Sequence, residues 1–183
     1  MKRVSPALCA FLVMMQASGF AGGPSRATHE FQVTSSVFNE GGEIPGRYGY
    51  NFENVSPPLS WSGIPEATKS IAVICDDPDA PLGTWNHWLA YNIPPASAGL
   101  PEGMPKELRL RDGTLQGIND FRKAGYDGPA PPSGTHRYVF KVYALDADLD
   151  LPPGVTRKEL LKAMAGHVLA EARLMGTFTR KGR

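Results

Sequence analysis

Residues 31–38 alternate, with Phe31, Val33 and Ser35 on one side and Gln32, Thr34 and Ser36 on the other. Successive side chains of a strand point to opposite faces, so this pattern predicts a strand. Residues 59–61 predict a short second strand, stopped by Gly63 and Pro65. Residues 70–76 are almost continuously apolar (SIAVICD), the pattern of a strand buried on both faces. The segment that follows, Asp77-Pro78-Asp79-Ala80-Pro81, is expected to be irregular. Residues 85–93 (WNHWLAYNI) form the next strand. Strict alternation there puts Trp85, His87, Leu89 and Tyr91 on one face and Asn86, Trp88, Ala90 and Asn92 on the other. Residues 137–145 (RYVFKVYAL) are rich in β-branched and aromatic residues and make a strong strand. A further strand is expected near 108–110, inside a stretch from 94 to 134 that otherwise reads as loop.

One helix is predicted. Thr156-Arg157-Lys158-Glu159 has the form of a capping box, in which the Thr oxygen and the Glu side chain each satisfy a free backbone N–H. Leu160, Leu161, Met164, Val168, Leu169, Ala172 and Met175 follow at helical spacing, and Gly176 suits the position just past the helix end. These elements together predict a mainly β protein: an antiparallel β-sandwich with long Pro/Gly-rich loops and one C-terminal helix. The 20 Gly and 17 Pro among 183 residues fit that picture and argue against a helical bundle.

The N-terminus departs from the rest. Lys2 and Arg3 precede an apolar run over residues 7–17, and small residues follow it. This is the layout of a secretory signal peptide, expected over residues 1–21, with the domain over 22–183. The run is too short to span a bilayer, which takes about 20 residues. Cleavage would remove Lys2, Arg3 and Cys9, turning a formal charge of +1 into −1, with 17 basic residues against 18 acidic. It would also leave Cys75 without a partner for an internal disulfide. A periplasmic or secreted location follows from the leader. The near-neutral charge offers no basic field for nucleic acid. Cysteine and histidine spacings do not describe a zinc module, so neither metal nor cofactor is assigned.

Candidate chemistry collects at strand ends, where loops held by a rigid scaffold can converge. Four segments stand out: Asp76-Asp77-Pro78-Asp79-Ala80-Pro81, Trp85-Asn86-His87-Trp88, Gly128-Pro129-Ala130-Pro131-Pro132, and Gly134-Thr135-His136-Arg137-Tyr138. They supply carboxylates, two imidazoles, a phenol, an indole and rigid prolines. Imidazole, hydroxyl and backbone N–H groups donate to phosphate oxygens, and a carboxylate can orient a histidine. Arg137 alternates away from Tyr138 and reads as half of a structural ion pair. Without a serine-hydrolase elbow, a zinc-peptidase helix or a phosphate-binding P-loop, no catalytic residue is assigned and the chain is not expected to be an enzyme.

In their order along the chain these segments resemble the phosphatidylethanolamine-binding protein family, in its bacterial Raf-kinase-inhibitor-like branch. The similarity is carried by Asn54-Val55-Ser56-Pro57-Pro58-Leu59-Ser60-Trp61, Asp76 to Pro81, Gly83-Thr84-Trp85-Asn86-His87-Trp88 and Asn119-Asp120-Phe121. It continues through Gly125-Tyr126-Asp127-Gly128-Pro129, Gly134 to Tyr138, and Gly166-His167-Val168-Leu169-Ala170-Glu171-Ala172. The resemblance implies a β-sandwich with a small pocket for phosphate-type anions, including phospholipid head groups. Carried over residue by residue, the ligand-binding set is Asp77, Asp79, Pro81, Trp85, His87, Pro131, His136 and Tyr138. It also implies a cis Ala80–Pro81 peptide. Tyr50 and Ala130 stand where members of this branch often carry cysteines, which suggests a Tyr50–Ala130 packing contact in place of a disulfide. Alternatives to a small-ligand binder are an inhibitor of a protein partner of protease or kinase type and an Asp/His hydrolase. The partner set is thus a phosphate-type anion or head group, a protein target, and a second copy of the chain as a homodimer.

Overall fold

The computed structural model describes Met1 and residues 30–180. The expected leader, Met1 apart, lies outside the described residues. Eight strands and one helix are ordered β1 (Gln32–Thr34), β2 (Leu59–Ser62), β3 (Ser70–Asp77), β4 (Trp85–Ile93), β5 (Gly99–Leu100), β6 (Leu115–Gln116), β7 (Thr135–Leu145), α1 (Arg157–Met164) and β8 (Val168–Thr179). The small sheet runs β1-β2-β5 and the large one β6-β4-β3-β7-β8, with antiparallel pairing throughout. The fold is therefore mainly β, with one α-helix, as expected, among the described residues.

The large sheet is covered on both sides, which explains the uninterrupted apolar run of β3. Ile71, Val73 and Cys75 join Trp88, Ala90, Phe140 and Leu174 in the core beneath the small sheet, where Val33, Leu59 and Trp61 meet them. Ala72 and Ile74 face the other way, into a second core with Leu89, Tyr91, Leu160 and Met164. Each fully buried aliphatic or aromatic side chain contributes about 1.5–3 kcal/mol, so β3 anchors both layers. Cys75 is buried there, and burial pushes its thiol pKa well up, as suits an unreactive thiol.

Four sequence expectations are corrected. The helix is shorter than its apolar spacing suggested. Its capping box forms, with Thr156 Oγ1 accepting from Glu159 N and Glu159 bonding back to Thr156 N, but the helix stops at Met164. Gly166 then turns the chain at φ 86°, and β8 follows as the longest strand, paired along β7 from Thr135↔Thr179 to Ala144↔Ala170. Ala172, Leu174, Gly176 and Phe178 bury at every second position, so the governing period is two. Gly176 is a strand residue: a Cβ there would lie 2.5 Å from Ile44 Cγ1.

The second correction concerns β4. Asp76 pairs with Asn86 and Cys75 with Trp88, so His87 is an extra, bulged residue. The bulge breaks the alternation. Trp85 and His87 turn toward the core under the small sheet, whereas Leu89 and Tyr91 face the helix. Asn86 stabilises the irregularity, its Nδ2 donating to the carbonyls of Cys75 (3.0 Å) and Trp88 (3.2 Å). Third, residues 108–110 carry only an isolated bridge, Arg109↔Leu115, and β3 extends one residue further than expected, through Asp77. Fourth, no peptide among the described residues is cis, so Ala80–Pro81 is trans. Pro81 is exposed at a loop tip, where no packing selects the rarer isomer.

Candidate functional site

Alternation along the end of β3 sends its two carboxylates to opposite faces. Asp76 points to the helix side and Asp77 to the side of the small sheet. Asp77 is buried, with Oδ2 accepting from His136 Nδ1 at 2.7 Å and Oδ1 accepting from Asp79 N at 2.8 Å. The second bond forms the tight turn that Asp-Pro-Asp favours. His136 comes from β7, where the β3–β7 register brings it beside Asp77 and points its Nε2 away from the carboxylate.

The β4 bulge delivers His87, which is 2% exposed. Its Nδ1 lies 2.7 Å from the main-chain oxygen of Asp127. Its ring meets Tyr138 edge-on at 5.1 Å and Phe121 at 5.3 Å. Burial holds the His87 pKa below its ordinary value, although Asp127 O, Asp77 and Gly128 pull the other way. Trp85 joins the cluster through Phe121, their centroids 5.4 Å apart.

Two polar atoms in this cluster are unsatisfied. Tyr138 Oη is buried beside Asp77 and the Ala130 backbone, and no hydrogen bond of acceptable geometry reaches it. Burial and the Asp77 charge raise its pKa. Trp85 Nε1 is likewise buried without a partner. Buried polar groups nearly always find partners, and each one that does not costs about 1–3 kcal/mol. Two orphans beside a pair of imidazoles are what a site for a polar ligand would leave.

The remaining sequence candidates are placed less centrally. The Asp79 carboxylate turns to Arg137, with Oδ2 accepting from its N and Nε (both 2.9 Å) and Oδ1 from Nη2 (2.6 Å). The Arg137 guanidinium holds the Asp79 pKa down to about 2. This makes Asp79 half of an ion pair, the role the sequence reading reserved for Arg137 alone. Pro81 stands at the exposed tip of its loop. Pro131 is buried in the rim and lines a recess of about 280 Å³ with Asn51, Phe52, Ala130 and Phe178. The 46–50 and 128–131 segments do adjoin, Tyr50 N donating to Pro129 O. The Tyr50 ring, however, stacks on Phe121 at 4.6 Å and 12°, with Lys123 Nζ 3.1 Å from its hydroxyl. Tyr50 thus packs against Phe121 because a flat aromatic partner is available there.

Sequence reasoning missed Phe121, Asn54, Asn119 and Asp127 as parts of this site. Asp127 is fully buried, its carboxylate accepting from Asn54 Nδ2 (2.7 Å), Asn119 Nδ2 (3.0 Å) and Lys106 Nζ (3.2 Å). Gly128 lets this loop approach closely: a Cβ there would lie 1.8 Å from Tyr48 O. The signal available beforehand was two motifs, Asn119-Asp120-Phe121 and Gly125-Tyr126-Asp127-Gly128-Pro129, each mixing amides or carboxylates with glycines or aromatics. Among the described residues no group of three or more His, Cys, Asp or Glu is arranged to hold a metal ion.

Known proteins resemble this chain over most of its length. The profile of the phosphatidylethanolamine-binding protein family matches residues 34–179. A protein of Methanothermobacter thermautotrophicus, named UPF0098 protein, is 57% identical over 148 residues, covering 81% of this chain and 98% of its own. Escherichia coli YbhB is 40% identical over 157 residues, covering 81% and 99%. Among solved structures, Escherichia coli YbcL, described as a member of the mammalian PEBP family, is 35% identical with a TM-score of 0.78. That similarity covers 84% of this chain and all of YbcL. The Chlamydia trachomatis homologue CT736 is 41% identical with a TM-score of 0.76, covering 83% and 99%.

Proposed function

The chain belongs to the phosphatidylethanolamine-binding protein family, and on that premise we propose that it is an exported binding protein whose site takes a small phosphate-type anion or phospholipid head group. One observation carries the reading: the hydrogen-bond donors Trp85 Nε1 and Tyr138 Oη are buried without partners, Tyr138 edge-on to His87 and Trp85 sharing with His87 its contact to Phe121. Donors held in a buried, low-dielectric site bind an anion more strongly than the same groups in water. His136, oriented by Asp77, adds a third polar group at its Nε2.

Equilibrium titration with inorganic phosphate and phosphoethanolamine tests the reading. Loss of one charge-assisted hydrogen bond corresponds to about 1.5–3 kcal/mol, so His136→Ala weakens binding roughly 10- to 150-fold. His167→Ala, in the turn before β8, leaves it unchanged. Absence of binding, or unchanged binding in both His87→Ala and His136→Ala, overturns the proposal. Release of the phenol and phosphate from an aryl phosphate in the same samples would show turnover and replace binding by hydrolysis. Export is read separately: the intact mass of the protein from the periplasmic fraction or medium lacks residues 1–21 or close to it.

A further inference from the structure

His87 is fastened at one nitrogen by groups that leave the other with a defined role. A carbonyl oxygen only accepts hydrogen bonds, so the 2.7 Å contact between His87 Nδ1 and Asp127 O places the hydrogen on Nδ1. In a neutral imidazole the second nitrogen, Nε2, then carries a lone pair and no hydrogen. The contact is doubled, because Asp127 N donates back to the main-chain oxygen of His87 at 3.0 Å. Asp127 cannot drift, since its carboxylate is bonded by Asn54, Asn119 and Lys106. The next residue is tied as well, Gly128 N donating to Asn54 Oδ1 at 2.8 Å. Five hydrogen bonds around one residue therefore maintain one tautomer of one histidine.

The site accordingly presents two kinds of group. Trp85 Nε1 can only donate, and Tyr138 Oη, beside the Asp77 carboxylate and without a well-formed hydrogen bond, can donate or accept. His87 Nε2 can only accept while the ring is neutral. Charged and titratable groups face this ring from three elements: Asp77 on β3, Tyr138 and His136 on β7, and Asp127 in the loop, the last neutralised by Lys106 at 3.2 Å. The two carboxylates favour a charged imidazole, but burial outweighs them.

Resting on the anion-binding reading above, we propose that this site selects a phosphoryl group that still carries a hydrogen, a phosphomonoester or inorganic phosphate in its singly protonated form, over a phosphodiester, and that Asp127 is the positioning residue for this choice. The P–O–H hydrogen is donated to His87 Nε2, while Trp85 and Tyr138 donate to the other phosphoryl oxygens. A diester has no such hydrogen. Its oxygens would meet the His87 lone pair and bind only if the ring first took up a proton against the cost of burial. A monoester has its second pKa near 6, so at pH 7.5 it is mostly dianionic and must gain a proton from solution on binding. Soluble monoesters and the phosphatidic acid head group share this chemistry; the common diester phospholipids do not.

Calorimetry with ethyl phosphate and diethyl phosphate at pH 7.5, in two buffers of different ionisation enthalpy, tests it. The monoester binds at least roughly tenfold more tightly, the scale of one hydrogen bond, and takes up close to one proton per molecule bound. Short-chain phosphatidic acid beside ethyl phosphate separates the lipid source from the soluble one. Nitrogen-15 NMR of histidine-labelled wild-type protein finds the hydrogen of His87 on Nδ1, a result that needs no variant to fold. Asp127→Asn lowers the monoester-to-diester ratio and lets the second tautomer appear. Equal affinity for the two esters, binding without proton uptake, or a hydrogen on Nε2 of neutral His87 overturns the inference while leaving anion binding intact. Failure of both esters to bind, with inorganic phosphate and phosphoethanolamine also silent, overturns the anion-binding reading itself and this inference with it.

Discussion

Asp76 and Asp77 are neighbours in sequence, equally buried, and lead opposite lives. Asp76 faces the helix and is fully met: Arg157 approaches both its oxygens at 2.9 Å, Lys141 lies at 3.3 Å and Asn86 Nδ2 at 3.1 Å. That carboxylate ties α1 to the large sheet and has nothing left to offer. Asp77 faces the small sheet, where its two bonds orient His136 and shape the 77–79 turn, while Tyr138 Oη nearby remains unsatisfied. One end of one strand therefore carries a fully paired carboxylate on one face and, on the other, a carboxylate beside an unsatisfied phenol. Buried polar atoms without partners occur on both sides, Asn86 Oδ1 among them, so it is the grouping of Tyr138 and Trp85 about His87 and Phe121 that marks a place for a ligand.

The sharpest way to break this contrast is through the helix. Arg157→Met leaves Asp76 buried with a weaker set of partners and lowers the unfolding free energy by about 3 kcal/mol, the scale of breaking a buried pair. Urea denaturation reads the loss, and phosphate affinity stays within about twofold of wild type by the rule that separated sites add. A matching fall in affinity would mean that the two faces are not independent.

Tyr138→Phe should act with the opposite signs. Removing a buried hydroxyl that has no partner leaves the free protein as stable or up to about 1 kcal/mol more stable, while phosphate affinity falls roughly tenfold. A stability loss instead would show that the hydroxyl is satisfied within the free protein, and that the site is as complete as its counterpart.

A smaller effect concerns acid. His87 has its folded pKa below the unfolded value near 6.5, so the unfolded state binds more protons in that window. Stability of the free protein is then complete above about pH 6.5 and declines as pH falls toward the folded pKa. His87→Gln should flatten that part of the profile, measured as the difference between the two proteins. An unaltered slope would assign the acid sensitivity elsewhere.

The smallest effect belongs to the surface pair Asp79–Arg137. With the Asp79 pKa down to about 2 against an unfolded value near 3.9, its contribution is present above about pH 4 and lost as pH falls through about 2. Thermal melts of Arg137→Gln should differ slightly from wild type at neutral pH and converge with it at the acid end. A difference that persists at pH 2 would mean that Arg137 acts through packing.

Much of this was legible beforehand. The continuous apolar run of β3, the β-branched and aromatic residues of β7 and the capping box at Thr156 each named their element, because the forces involved are local. Asp77, Asp79, Pro81, Trp85, His87, Pro131, His136 and Tyr138 were named together only through the resemblance of their motifs to the family; periodicity alone gave each a strand end and no common site. The extent of the helix was not, because Ala172 fits both a helical and an alternating pattern. Only pairing with β7 over the length of β8 decides between them.

What the sequence determined by itself was therefore the menu: a β-sandwich, one short helix after a cap, a buried thiol, and two imidazoles with carboxylates at strand ends. The tertiary structure decided the orientation. The bulge at His87 depends on how β4 registers against β3, and that register is set by two cores at once. The partner of Asp79 depends on which residue β7 brings alongside the 77–81 turn, and the tautomer of His87 on a carbonyl forty residues away. Periodicity describes a strand in isolation. Side-chain direction at an irregular position is fixed only when neighbouring strands compete for the same core, and that competition is a property of the assembled fold.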